Sequence, residues 1–154
     1  MKIGLDTGFF VELLRGNPQA VEVWKSVAEG ENESLVSCLT LFEIERLGLK
    51  GAIGEVKTLL ESLPAVCRVI WLDSQILSLA ARLSHGLSIP AVDSLILAGL
   101  VNEKVKVIYT TDSDVEKYAR KGVKIKNIKG VYGRIGNWGH ILNCEIIVDT
   151  FILL

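Results

Sequence analysis

The chain has 154 residues, 49% apolar and 23% charged, with a formal net charge of −1. This is the profile of a single globular domain with its own hydrophobic core, and it excludes both a uniformly basic nucleic-acid binder and an acidic disordered tail. Cys38, Cys67 and Cys144 are odd in number and far apart, and the histidines are only His85 and His140, which argues against a disulfide scaffold, a zinc ribbon and a His-ligated zinc site. The three cysteines are expected as small apolar core residues. No apolar run reaches the roughly 18 residues of a membrane helix, and no targeting pattern opens the chain, so a cytoplasmic protein without a membrane segment is expected.

In chain order, residues 2–5 predict a short buried strand that stops at Asp6, and Phe9 to Leu14 a helix closed by Gly16-Asn17-Pro18. A second helix is expected over Ala20 to Ala28, with Val21, Trp24 and Val27 on one face, then a turn at Gly30 to Asn32 and a strand from Leu35 to Cys38. Thr40 is expected to open a helix reaching Gly48 or Gly51, and Ile53 to Leu63 forms another that Pro64 ends. Val69 to Leu72 reads as a strand, followed by a helix over Gln75 to Ser84 that Asp73 or Ser74 caps and Gly86 stops. Pro90 suits the first position of a helix running to Asn102. Lys106 to Tyr109 is a strand, Val115 to Arg120 a short helix stopped by Gly122, and Val123 to Ile128 the last strand. Strands alternating with helices predict a parallel sheet with helices on both faces. The domain is expected to span residues 1–130. Residues 131–154, broken by Gly133, Gly136 and Gly139 and then strongly apolar, read as an edge strand, an arm against a second subunit, or a non-native extension.

Four acidic positions stand out, each with a structural explanation beside a chemical one. Asp6 ends the first strand at the carboxyl edge of the sheet, where open α/β proteins bind ligands, and it also suits a helix N-cap. Glu43 closes Thr40-Leu41-Phe42-Glu43, the spacing of a capping box. Asp93 falls in the first turn of a helix that is apolar all round nearby, so its carboxylate needs a partner or a metal. Asp112 and Asp114 follow the strand that ends at Tyr109, and one of them could cap the next helix. Taken together, a doubly wound sheet can bring these acids to one edge. Two carboxylates about 5 Å apart repel by roughly 3 kcal/mol at an effective dielectric near 20. A hard divalent cation removes that cost, and acid-only clusters suit metal-assisted phosphodiester hydrolysis.

Leu5-Asp6-Thr7-Gly8-Phe9-Phe10, Thr40-x-x-Glu43, Pro90-x-x-Asp93-Ser-Leu-Ile and Thr110-Thr-Asp112-Ser-Asp114 occur in that order. Over residues 1–130 the chain thereby resembles the PIN domain family, the nuclease fold of VapC-type toxins. The resemblance implies a three-layer α/β/α sandwich around a mostly parallel sheet, and an acidic pocket that binds Mg²⁺ or Mn²⁺ and cuts RNA. It places the catalytic acids at Asp6, Glu43, Asp93 and Asp112, with Asp6, Asp93 and Asp112 as metal ligands, Glu43 holding a second ion or orienting water, and Asp114, Thr7 and Thr110 as accessory groups. The sequence departs from the family at Gly8, where many members carry serine, and at Val115, where an aromatic is common. A small antitoxin that blocks the pocket with an arginine or lysine, and homodimerisation, are implied as well.

Residues 115–134 carry seven basic side chains against Glu116 alone. Lys117, Arg120, Lys121 and Lys124 are therefore candidate contacts to an RNA backbone, unless the run is simply a solvated face. The alternatives to a toxin ribonuclease are a PIN-type RNA-processing or ribosome-maturation nuclease and a non-catalytic PIN-like binding module. A receiver-like phosphoacceptor domain would want an aspartate within residues 51–60, which hold none. Ser94, Ser113 and Cys38 have no base beside them, which argues against covalent catalysis.

Overall fold

Alternation along short, buried strands decides the layers. In the computed structural model, which describes residues 1–54, 56–118 and 122–130, strand β1 (Lys2–Leu5) sends Ile3 and Leu5 to one face of the sheet. Gly4 faces the other way. In β2 (Glu33–Ser37) Val36 joins the first face and Leu35 the second, and in β4 (Val107–Thr110) Val107 and Tyr109 oppose Ile108 in the same manner. With β3 (Arg68–Ile70) and β5 (Lys124–Asn127) these strands form one all-parallel sheet in the order β3-β2-β1-β4-β5. Helices α1 (Thr7–Leu14), α2 (Pro18–Ala28), α3 (Cys38–Leu49) and α4 (Val56–Val66) contribute to the first core, where Phe10 stands edge-on to both Phe9 and Trp24. Helices α5 (Ser74–Leu87) and α6 (Ala91–Asn102) pack on each other and on the second face. This is the three-layer α/β/α sandwich expected from the sequence.

Two features aim this scaffold at one edge. The chain lays β1, β2 and β3 side by side in one direction, then returns to place β4 on the other flank of β1. That reversal opens a crevice beyond the carboxyl ends of β1 and β4. Gly4 in turn lets α6 lie close over β1, because a Cβ there would stand 2.9 Å from the Leu100 methyl carbons. In the last turn of α1, Glu12 is buried and fully engaged. It accepts from Arg15 Nη1 at 3.1 Å, from Asn17 Nδ2 at 2.8 Å and from the Gly130 amide at 3.1 Å, while Asn17 also donates to the Ile128 carbonyl. The helix that begins at the crevice is thus tied to the end of β5.

Several local expectations are corrected. Helix α3 opens at Cys38, not Thr40, because β2 runs straight into it and Ser37 Oγ caps it by accepting from the Leu39 amide at 3.2 Å. There is no capping box: Thr40 lies inside the helix, buried, and its Oγ1 has no hydrogen-bond partner among the described residues. Thr40→Val is accordingly expected to leave stability unchanged or raise it by up to about 1 kcal/mol in urea unfolding, whereas a capping role would make it cost about that much. Helix α4 continues past Pro64 to Val66, since a proline in the last turn forfeits one bond without ending the helix. Helix α5 runs through Gly86 to Leu87 and is closed by Ser88 in a left-handed conformation. Pro90 is the N-cap of α6 and not its first residue. The short helix expected from Val115 is a single 3₁₀ turn over Val115–Lys117. Cys67 is buried, but Cys38 is only half-buried, so the core expectation fails for it. Arg120, Lys121, Cys144, His140 and the segment 131–154 lie outside the described residues. Among those described, no helix is long and apolar enough to cross a bilayer.

Candidate active site

Four separate segments deliver the acids to the crevice. Asp6 leaves β1 and caps α1, its Oδ1 accepting from the Phe9 amide at 2.9 Å. The structural explanation of this residue, a helix N-cap, therefore holds. Glu43 projects from the second turn of α3, Asp93 from the first turn of α6, and Asp112 from the loop after β4. All four line one cleft of about 230 Å³, whose floor is apolar and includes Val11, Leu47, Ile96, Leu97 and Ile108. Among the described residues no lysine, arginine or histidine lines it.

Two threonines hold the carboxylates in place. Thr110 Oγ1 donates to Asp6 Oδ2 and accepts from the Asp112 amide at 2.9 Å, so one hydroxyl links the ends of β1 and β4. Thr7 Oγ1 donates to Glu43 Oε2 at 2.5 Å, and Arg46 approaches Glu43 Oε1 at 3.8 Å from the solvent side. Asp112 Oδ1 accepts from the Asp114 amide at 2.8 Å, so it closes its own loop and does not cap a helix. Asp114 makes no side-chain cap either, and pairs with Lys117 at 2.5 Å on the surface.

The electrostatics follow from this crowding. Burial pushes Asp6 up to about 7, against the pull of its bonds from Thr110 and Phe9, and the charges of Asp112 and Glu43 push it further. Burial also raises Asp93 to about 6, helped by Asp112, Glu43 and Asp114. Bound protons or cations are favoured here over free carboxylate charge. The donors are all oxygens, carboxylates with threonine hydroxyls beside them, which is the set that hard divalent cations such as Mg²⁺ or Mn²⁺ prefer. Among the described residues, no three acids stand close enough to enclose one ion as they lie. Cys67 is no competitor for chemistry, because burial drives its thiol up to about 11.

The structure thus brings Asp6, Glu43, Asp93, Asp112, Thr7 and Thr110 together, while Asp114 and Lys117 pair with each other outside the cleft lining. It does not bring Lys124 to the cleft. That lysine starts β5 opposite Val107, at the amino edge of the sheet, one strand length away. The lining residues that carried no site role in the sequence include Gly8, which counted only as a departure from the family pattern, and Thr111, hidden between two more obvious polar neighbours.

Comparison with known proteins agrees with this architecture. The PIN domain family model matches residues 3–121. Among solved structures, VapBC-1 from nontypeable Haemophilus influenzae is similar with a TM-score of 0.64 at 17% identity, covering 83% of this chain and 98% of that one. VapBC2 from Rickettsia felis, bound to a DNA fragment from its promoter, gives 0.62 at 16% identity over 82% and 98%. FitAcB from Neisseria gonorrhoeae gives 0.59 at 24% identity over 82% and 97%. No curated protein matches the chain. With the match running from the first strand past the last of the four cleft acids, the chain belongs to the PIN domain family.

Proposed function

We propose that this chain is a metal-dependent endoribonuclease and the toxin of a VapBC-type toxin–antitoxin pair. The observation that carries the reading is the convergence of Asp6, Glu43, Asp93 and Asp112 on one apolar-floored cleft lined by no positive side chain among the described residues. Asp6, Asp93 and Asp112 would hold Mg²⁺ or Mn²⁺. When bound, such an ion supplies charge stabilisation at the phosphate and a nucleophilic water at neutral pH. Thr110 fixes the direction of Asp6 and the Asp112 backbone together. Thr7 occupies Glu43 Oε2, and Oε1, 3.8 Å from Arg46, would accept a proton from the attacking water. The apolar floor lowers the local dielectric and strengthens each of these interactions.

The solved structures similar in fold, those of VapBC-1 and FitAcB among them, support the toxin assignment. An antitoxin offering an arginine or lysine to the acidic cleft, and a homodimeric toxin, complete the proposal. The test is direct. Purified protein incubated with single-stranded and structured RNA is expected to cut it in Mg²⁺ or Mn²⁺, to stop in EDTA, and to resume when the ion is restored. Intact RNA under all these conditions would instead favour a non-catalytic binding module.

A further inference from the structure

Gly8 is the second residue of α1, a place where glycine is a poor helix former. The reason for it lies across the cleft. A Cβ on Gly8 would stand 1.9 Å from Thr111 Oγ1, 2.9 Å from Thr111 Cβ and 3.1 Å from its Cγ2. Turning the hydroxyl away would not clear that clash, because Thr111 Cβ is itself too near. The bare α-carbon is what seats the threonine in the cleft wall, between the ends of two neighbouring strands.

The hydroxyl so placed is unspent. Of the two uncharged polar side chains lining the cleft, Thr7 donates to Glu43, while Thr111 Oγ1 has no hydrogen-bond partner among the described residues. Every other polar side chain in the lining is a carboxylate, which accepts and repels a phosphate. We propose that Thr111, seated against Gly8, donates its hydroxyl hydrogen to a non-bridging phosphate oxygen of the bound RNA strand. This rests on the ribonuclease reading above and adds a substrate-binding residue to it.

The experiment compares the unaltered chain with Thr111→Val, Thr111→Ser, Gly8→Ala and a double variant that combines Gly8→Ala with Thr111→Gly. Three functional readouts are taken: anisotropy of a single-stranded oligoribonucleotide in Ca²⁺, cleavage of the same RNA in Mn²⁺, and Mn²⁺ affinity by calorimetry. Thr111→Val keeps the shape and is expected to weaken oligonucleotide binding about tenfold and kcat/KM about ten- to hundredfold, as loss of a hydrogen bond to a charged group does. Its Mn²⁺ affinity stays within about twofold, and Thr111→Ser recovers binding to within about threefold of the unaltered chain. Gly8→Ala lowers the melting temperature while Thr111 is present, but not in the double variant, where the side chain it strikes is gone. If Thr111→Val binds and cuts like the unaltered chain, or loses Mn²⁺ affinity instead of RNA affinity, the proposal is overturned while the ribonuclease reading stands. If the unaltered chain neither binds nor cuts RNA, both fall.

Discussion

Asp93→Asn is expected to lower metal-dependent RNA cleavage by about a thousandfold or more, the scale seen when a principal electrostatic group of a site is removed. The same change should leave the metal-free protein as stable as before or more so. Asparagine has the shape of aspartate but no charge, so it holds a divalent cation far more weakly and does not repel its neighbours. Asp93 makes no side-chain cap bond to α6, so little structural is lost. What is removed is a half-buried charge facing Asp112, Glu43 and Asp114. A residue kept for folding would lose stability and activity together. Here the two should move apart, as they do where a site stores unfavourable charge for function. Cleavage rates and urea unfolding, measured on one preparation, separate the cases. Activity within about tenfold of the unaltered chain would remove Asp93 from the proposed metal ligands.

The metal-free protein is also expected to become less stable as pH rises from about 4 to 7, the reverse of ordinary carboxylate behaviour. Asp6 titrates at about 7 in the folded chain and Asp93 at about 6, against 3.8 when unfolded. Between those values the folded chain binds more protons than the unfolded one, so each step up in pH favours unfolding. The stabilising contribution is complete below about pH 4 and gone once pH passes the folded values. Asp6 dominates, because Asp93 is half open to solvent and its effect is discounted accordingly. The loss should be on the order of 2–3 kcal/mol. Glu103, held low by Arg68, works in the opposite sense, but this pair sits at the surface and contributes little. Melting curves in EDTA at pH 4.5 to 7.5 measure the slope. Asp6→Asn should flatten it and raise the melting temperature at pH 7 by about 4–10 °C, since asparagine still caps α1. Saturating Mg²⁺ should stabilise the unaltered chain most at high pH, where the carboxylates are charged. A melting temperature that climbs with pH in EDTA would contradict this account.

Much of the architecture was legible from local pattern. Short apolar runs at residues 2–5, 69–72 and 106–109, each followed by a helix, already implied a parallel sheet. The order of the four acidic motifs matched the family to which the chain belongs. Local rules failed where a distant neighbour decided. Thr40 and Glu43 have the spacing of a capping box, yet Ser37 takes the cap because β2 runs directly into α3, and Glu43 turns to Thr7, 36 residues away in sequence. Pro64 and Gly86 look like helix stops, but Pro64 falls in the last turn of α4, and α5 runs through Gly86 to close at Ser88.

Composition and spacing by themselves therefore determined the alternation of strands and helices and the oxygen-only character of the candidate ligands. Only the tertiary structure decided that β4 returns to the flank of β1, that Lys124 stands at the wrong edge of the sheet, and that Thr111 fits where Gly8 has no side chain. The physical reason is one of range. Helix and strand preferences are set within a few residues, whereas a cleft is made by segments such as Asp6 and Thr110 whose bond spans 104 positions, and a charge acquires its pKa only from neighbours that folding brings to it.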